Sequence, residues 1–203
     1  MSFDERRVFR VGDGNVNAYR LLTAVVVPRP IAWVTSQSVA GVVNLAPHSF
    51  YTVACARPPI VQFTSVGSKD TLRNVQDTGE FVVNLAHRPL LAAVNNSSAS
   101  YPADQSEPAE LGIAMRPSLD VAPPTVRDSP AAIECRLHST NRLGDSTVVL
   151  GDVVAVTVAE EVLVDGHPDY HRLDPLSRLG KDEWGVGAEV VSLRRPRTPE
   201  DLG

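Results

Sequence analysis

Cysteine is nearly absent: the 203 residues hold only Cys55 and Cys135. Two isolated thiols make neither a disulfide framework nor a paired-cysteine metal pattern, and they read as buried groups in a reduced, cytoplasmic protein. No run approaches the ~18 consecutive apolar residues of a membrane-crossing helix. The densest stretch, 148–158, is broken by Gly151 and Asp152. The opening Met1-Ser2-Phe3-Asp4-Glu5-Arg6-Arg7 has no apolar centre and no small-residue cleavage site, so no secretory signal is expected there. Basic residues are outnumbered, 19 Lys and Arg against 24 Asp and Glu, for a formal net charge of -5. That balance does not favour a nucleic-acid face. Aromatics make up only 5% of the chain, so its core must be aliphatic. The familiar catalytic signatures are missing as well: no GxGxxG, no P-loop, no HExxH and no GxSxG. The histidines 48, 87, 138, 167 and 171 are scattered. His167 and His171 have the spacing that suits a metal on a helix, but Pro168 and Asp169 stand between them, and no metal site is expected.

What remains is an ordinary globular composition, 43% hydrophobic and 21% charged, with 16 prolines and many valines. Valine-rich runs punctuated by Pro and Gly point to a mainly β fold. One domain is expected over 1–203, with its core at about 15–195 and a charged tail from 194 that frays. Residues 15–25 fit a short helix with Tyr19, Leu22 and Val26 on one side. Strands are expected at 31–35, 42–46, 60–65, 81–85, 131–141, 147–160 and 184–193. Residues 47–51 are expected to leave the sheet, because Pro47 cannot donate to a central ladder. A helix with Ser68 as N-cap and Asp70 in its first turn runs to Asp77, and a helical turn is expected at 174–179. The polar segment 95–124, with a short helix at 109–112, is too long for a casual loop and points to function or an interface. Strands with wide connections suggest an antiparallel Greek-key barrel with a few short helices.

Short polar residues gather where the strands of the first half stop: Thr35-Ser36, Asn44, His48-Ser49, Ser65, and Ser68-Lys69-Asp70-Thr71. A helix start carrying Ser, Lys and Thr suits an anion, because free N–H groups, a partial positive dipole and an ammonium converge there. The plainer alternative is ordinary capping by Ser68 beside a surface Lys69.

The order of the pieces adds more. Pro28-Arg29-Pro30-Ile31-Ala32-Trp33-Val34-Thr35 is followed by Asn44-Leu45-Ala46-Pro47-His48-Ser49-Phe50 and Pro58-Pro59-Ile60-Val61. Then come Lys69-Asp70-Thr71-Leu72-Arg73-Asn74 and Gly79-Glu80-Phe81-Val82-Val83-Asn84, and later Arg178-Leu179-Gly180. This series resembles the flavin reductase-like, FMN-binding split-barrel family, in the branch that contains flavoredoxin. The resemblance implies a Greek-key split barrel that dimerises, with a flavin near each subunit interface. It implies FMN as cofactor, with FAD as the alternative and NAD(P)H as an electron donor.

By motif, Lys69 and Thr71 would hold the FMN phosphate, helped by Ser65 or Ser68. Thr35 and Ser36 would meet the flavin tail or ring edge, and Asn44, Ala46, His48 and Ser49 would run along the ring. Asn95 matches a segment that reaches toward flavin or a partner subunit. Arg178 and Trp184 match the family's C-terminal positions, Trp184 standing between ring stacking and dimer packing. Arg29 is left between the phosphate and the interface. The family's short-chain reductases resemble one another at a Gly-Asp-His turn that helps hold nicotinamide; here the stretch is Gly144-Asp145-Ser146-Thr147.

The implied function is an FMN-dependent oxidoreductase in which the cofactor carries the chemistry, leaving His48 and Ser49 as the nearest catalytic candidates. A flavin-dependent monooxygenase is the expected partner; nucleic acid and membrane are not. Two alternatives stand beside it. One is a biosynthetic flavoprotein acting directly on an organic substrate, motivated by the missing histidine and the 95–124 connection. The other is a non-enzymatic split barrel that carries flavin or haem, with His48 as the axial ligand.

Overall fold

A computed structural model describes residues 4–201; the first three residues and the last two, with the end of the charged tail, lie outside it. Seven strands form one sheet: β1 Ala32–Gln37, β2 Val43–His48, β3 Tyr51–Ala56, β4 Pro59–Val66, β5 Glu80–Leu85, β6 Ala131–Leu143 and β7 Ser146–Val158. Their spatial order is β2-β1-β5-β6-β7-β4-β3, and every neighbouring pair is antiparallel. The two edge strands, β2 and β3, follow each other in the chain. The sheet therefore rolls until its edges meet at the corner formed by Ser49 and Phe50, where the Thr64 N–H donates to the Phe50 carbonyl at 2.8 Å. The result is a mainly β split barrel.

Alternation along the strands sets two cores. Ala32, Val34, Phe63, Val75, Phe81 and Val149 fill the barrel. Trp33, Leu45, Val94 and Val126 pack on its outer side. Strand β1 is buried on both faces, which is why 32–36 read as one continuous run. The cover on the outer side is the 95–124 connection, with helices α3 Leu91–Asn96 and α4 Glu107–Glu110. It is pinned by Trp33 Nε1 donating to Ser97 Oγ at 2.9 Å and by the Val126 N–H donating to Asn84 Oδ1 at 2.8 Å. Inside, the Phe63 and Phe81 rings meet edge to face with centroids 5.4 Å apart. Each fully buried ring of this kind contributes roughly 1.5–3 kcal/mol. Gly151, at a bulge in β7, makes room for Phe81, since a Cβ there would overlap the ring.

Several expectations are corrected. Pro47 stays in the sheet, opposite Trp33, because β2 is an edge strand whose outer N–H is not needed. Strand β3 was not anticipated; apart from Tyr51 and Cys55 its residues are exposed, so it shows little of the pattern of a buried strand. The turn expected at 174–179 lies instead at Tyr170–Leu173, where Asp169 caps the Arg172 N–H, and Leu176–Arg178 is a strand. That strand pairs with Arg29–Pro30 and with Trp184–Val186, which is all that forms of the last expected strand. The short helix expected at 109–112 lies two residues earlier, as α4.

Helix α1, Ala18–Val25, is capped by Asn17 Oδ1, which accepts from the Arg20 N–H at 3.0 Å. Its Tyr19, Leu22 and Val26 side does not turn inward: these residues are 62%, 59% and 57% exposed. Buried Arg29 closes its far end, donating to the carbonyls of Thr23, Val26 and Leu179. Arg29 thus ties α1 to the C-terminal segment.

Candidate functional site

Helix α2, Asp70–Thr78, packs beside β1 and β2 and ends at Gly79, whose φ of 76° is open to glycine at little cost. Its start differs from the expected Ser68 cap. The chain stays extended through Lys69, which occupies the N-cap without a side-chain capping bond. The first N–H groups of α2 are thus left without the usual side-chain acceptor, beside an ammonium. Ser65 is enclosed behind them, its hydroxyl donating to the Gly67 carbonyl at 3.3 Å.

A cleft of about 220 Å³ opens over this start. One wall is β2, through Asn44, Ala46, Pro47 and His48; the second is 68–71; the third is 97–101 with Glu107. A second cleft, of about 140 Å³, shares Pro47 and Ser98 with the first and is lined by Ile31, Ser49, Val94, Asn95, Arg178 and Trp184. The two form one groove along the edge of the sheet. At its far end the Arg178 guanidinium lies 4.7 Å from the centre of the Trp184 ring and donates to the Lys181 carbonyl at 2.9 Å.

His48 forms part of the floor. It is buried, with its ring centre 4.7 Å from that of Phe63, and its Nε2 is enclosed without a hydrogen-bond partner. Burial, reinforced by the Lys69 cation and opposed by a bond to the Thr64 backbone, pushes its pKa down to about 4. The ring is therefore neutral near pH 7, and an enclosed Nε2 gives a haem iron no approach. Glu107 is the buried acid of the groove. Its Oε2 accepts from the Leu45 N–H at 3.0 Å, yet burial still raises its pKa above the ordinary carboxylate value, with Asp70 adding to the rise.

The structure brings together most of the residues expected at a site. Asn44, Ala46, His48, Ser68, Lys69 and Thr71 line the first cleft, and Ser49, Asn95, Arg178 and Trp184 line the second. Thr35, Ser36 and Ser65 line neither. Thr35 is fully buried in the central strand, its hydroxyl accepting from Asn84 at 2.7 Å. Ser36 accepts from Asn74 at 3.3 Å and so fastens β1 to α2. Both support the wall from behind. Glu107 was missed, because an acid before Pro108 in a polar segment reads as a solvated helix start. The Gly144-Asp145-Ser146 turn ends the β6–β7 hairpin beside the loop that leads into α2, with the Gly67 N–H donating to the Asp145 carbonyl at 2.8 Å. His167 and His171 fall in separate short elements.

Comparison with known proteins agrees with this fold. Residues 24–174 match the model of the flavin reductase like domain. An uncharacterized protein of Halalkalibacterium halodurans is 41% identical over 88% of this chain and 90% of its own length. Among solved structures, nitrilotriacetate monooxygenase component B from Bacillus cereus superposes with a TM-score of 0.85 at 29% identity, covering 93% of this chain and 100% of that one. The 2-nitrobenzoate 2-nitroreductase of Pseudomonas fluorescens gives 0.83 at 27% identity, covering 96% and 100%. Flavoredoxin of Desulfovibrio vulgaris shares the fold, with a TM-score of 0.76 at 22% identity over 82% of this chain and 90% of that one.

Proposed function

The chain belongs to the flavin reductase-like domain family, and on that premise we propose that it is an FMN-dependent oxidoreductase. The observation that carries the reading is the groove itself. An uncapped helix start with Lys69 at one end continues, past the β2 edge, to the Arg178–Trp184 pair at the other. One end suits a phosphate and the other a flat ring system.

Lys69, Ser68, Thr71 and the first N–H groups of α2 hold the phosphate. Asn44, Ala46 and Pro47 line the path of the ring, and neutral His48 closes the floor without adding charge. Ser49, Asn95, Arg178 and Trp184 shape the end where a donor or acceptor enters. FAD fits the same phosphate end if its adenylate lies outside the groove. Bound flavin supplies the redox chemistry, taking a hydride from a donor and passing electrons on. The chain's own part is to bind, orient and exclude water.

NAD(P)H is the proposed donor, and a flavin-dependent monooxygenase is the proposed recipient. The likeness to a monooxygenase component B supports that pairing. Likeness to a nitroreductase favours a second reading, in which an organic substrate enters the Asn95–Trp184 cleft and is reduced directly.

Anaerobic mixing of the FMN-loaded protein with NADH and NADPH separately tests the proposal. Bleaching of the flavin bands by either donor is the expected result. Serine at 146 offers the nicotinamide only a short hydroxyl, so free NADH should turn over below about 10 s⁻¹, the ordinary enzyme median. A protein that binds no flavin contradicts the proposal.

A further inference from the structure

Glu107 has no part in the function proposed above, yet it is joined to the phosphate end of the groove by a chain of buried polar groups. Asn44, itself 6% exposed, lies between Glu107 and Thr71. Its amide has two possible orientations, and each demands something different of its neighbours. In one, the Asn44 nitrogen donates to Thr71 Oγ1 at 2.9 Å and to Ser36 Oγ at 3.3 Å. The Asn44 carbonyl then faces Glu107 Oε1, and two oxygens tolerate that approach only with a proton between them. In the other, the Asn44 nitrogen donates to Glu107 Oε1 at 3.2 Å, and its carbonyl accepts from the Thr71 hydroxyl at 2.9 Å and from the Leu45 N–H at 3.3 Å.

The orientations differ in what is left for a ligand. With Glu107 ionised, the Thr71 hydroxyl proton is spent on Asn44. With Glu107 protonated, Asn44 donates to Thr71, and the hydroxyl proton is free for an acceptor in the cleft that Thr71 lines. We propose that Glu107 is the positioning residue of the phosphate end, taking up one proton as an anion binds and thereby turning Asn44 so that the Thr71 hydroxyl donates to the anion. The proton comes from solvent and is returned when the anion leaves, so nothing is oxidised or reduced.

The surroundings fit a carboxyl that changes state. Burial raises its pKa, with the Leu45 N–H working against and Asp70 of α2 working with the rise. Lys69 of α2, His48 of β2 and Tyr101 of the 97–101 wall face the same cleft, while Glu110 on its own helix is exposed. His48 is neutral through the range in question, its pKa being pushed down to about 4.

The inference rests on the FMN reading, and titrations with FMN and riboflavin between pH 6 and 8 separate the two. Uptake of a full proton lowers affinity about tenfold per pH unit above the carboxyl's own range. Wild-type affinity for FMN, taken relative to Glu107→Gln at each pH, should therefore fall as pH rises, by at most about tenfold per unit. Glu107→Gln should remove that slope, because its amide nitrogen donates permanently to the Asn44 carbonyl while its oxygen keeps the Leu45 bond. The second ionisation of the phosphate, near pH 6, is common to both proteins and cancels in the comparison. Thr71→Val, which keeps Glu107 but removes the hydroxyl, should bind FMN more weakly and also lose the slope. Riboflavin should show none. The same slope in wild type and Glu107→Gln, its persistence in Thr71→Val, or its appearance with riboflavin overturns this inference and leaves the FMN reading standing. Failure of the wild-type chain to bind FMN at pH 6 overturns both.

Discussion

His48 shows how one residue couples the groove to stability. Its folded pKa, about 4, lies below the ordinary value of 6.5 because the ring is buried and faces Lys69. The unfolded chain binds the proton more readily, so protonation favours unfolding. The contribution is fully present above pH 6.5 and is lost as pH falls toward 4. A shift of that size corresponds to about 3 kcal/mol. Urea unfolding at pH 7 and pH 4.5 should show a loss of this order in the wild type and a clearly smaller loss in His48→Asn; equal losses would place the acid sensitivity elsewhere. His48 was legible in the sequence as part of the site, since Asn44-Leu45-Ala46-Pro47-His48-Ser49-Phe50 is a motif in one piece. Glu107 was not, because its role depends on the long connection folding back onto β2. No local pattern carries that contact.

At the scale of elements, legibility followed how locally each was determined. Strands β1, β5, β6 and β7 were evident from valine-rich runs, and α2 from its polar start and terminal Gly79. Strand β3 and the sheet at Leu176–Arg178 were not, because their pairing rests on partners far along the chain. The β7 bulge is a device of the same long-range kind. Gly151 accepts the Phe81 ring, and an added Cβ would overlap it. Gly151→Ala should force Phe81 aside and cost about 1–3 kcal/mol, read as a lower urea midpoint with an unchanged m-value. Combining it with Phe81→Leu should recover part of the loss. Independent, additive effects would show that the two sites do not meet.

At the scale of the whole molecule, the uncovered side of α1 has the next consequence. Tyr19, Leu22 and Val26 form an exposed apolar face, and Tyr19 lies 6.4 Å from Phe50 at the corner of the barrel. A second copy of the chain on this face is the expected cover, and an obligate interface of this class buries more than about 2,000 Å². Sedimentation should show a dimer at micromolar concentration, and Leu22→Asp should shift it to monomer; a wild-type monomer with flavin bound would refute the homodimer. The barrel class itself was readable from composition and motif order. The groove's continuity was not, since it is made by β2, α2 and the C-terminal segment meeting in space. The central claim is that the start of α2 holds a flavin's phosphate, and paired titration of wild type and Lys69→Ala with FMN and riboflavin tests it most directly. A charge-assisted bond to phosphate is worth about 1.5–3 kcal/mol, so Lys69→Ala should weaken FMN by on the order of ten- to a hundredfold and leave riboflavin nearly unchanged. Equal losses for both ligands would contradict the account.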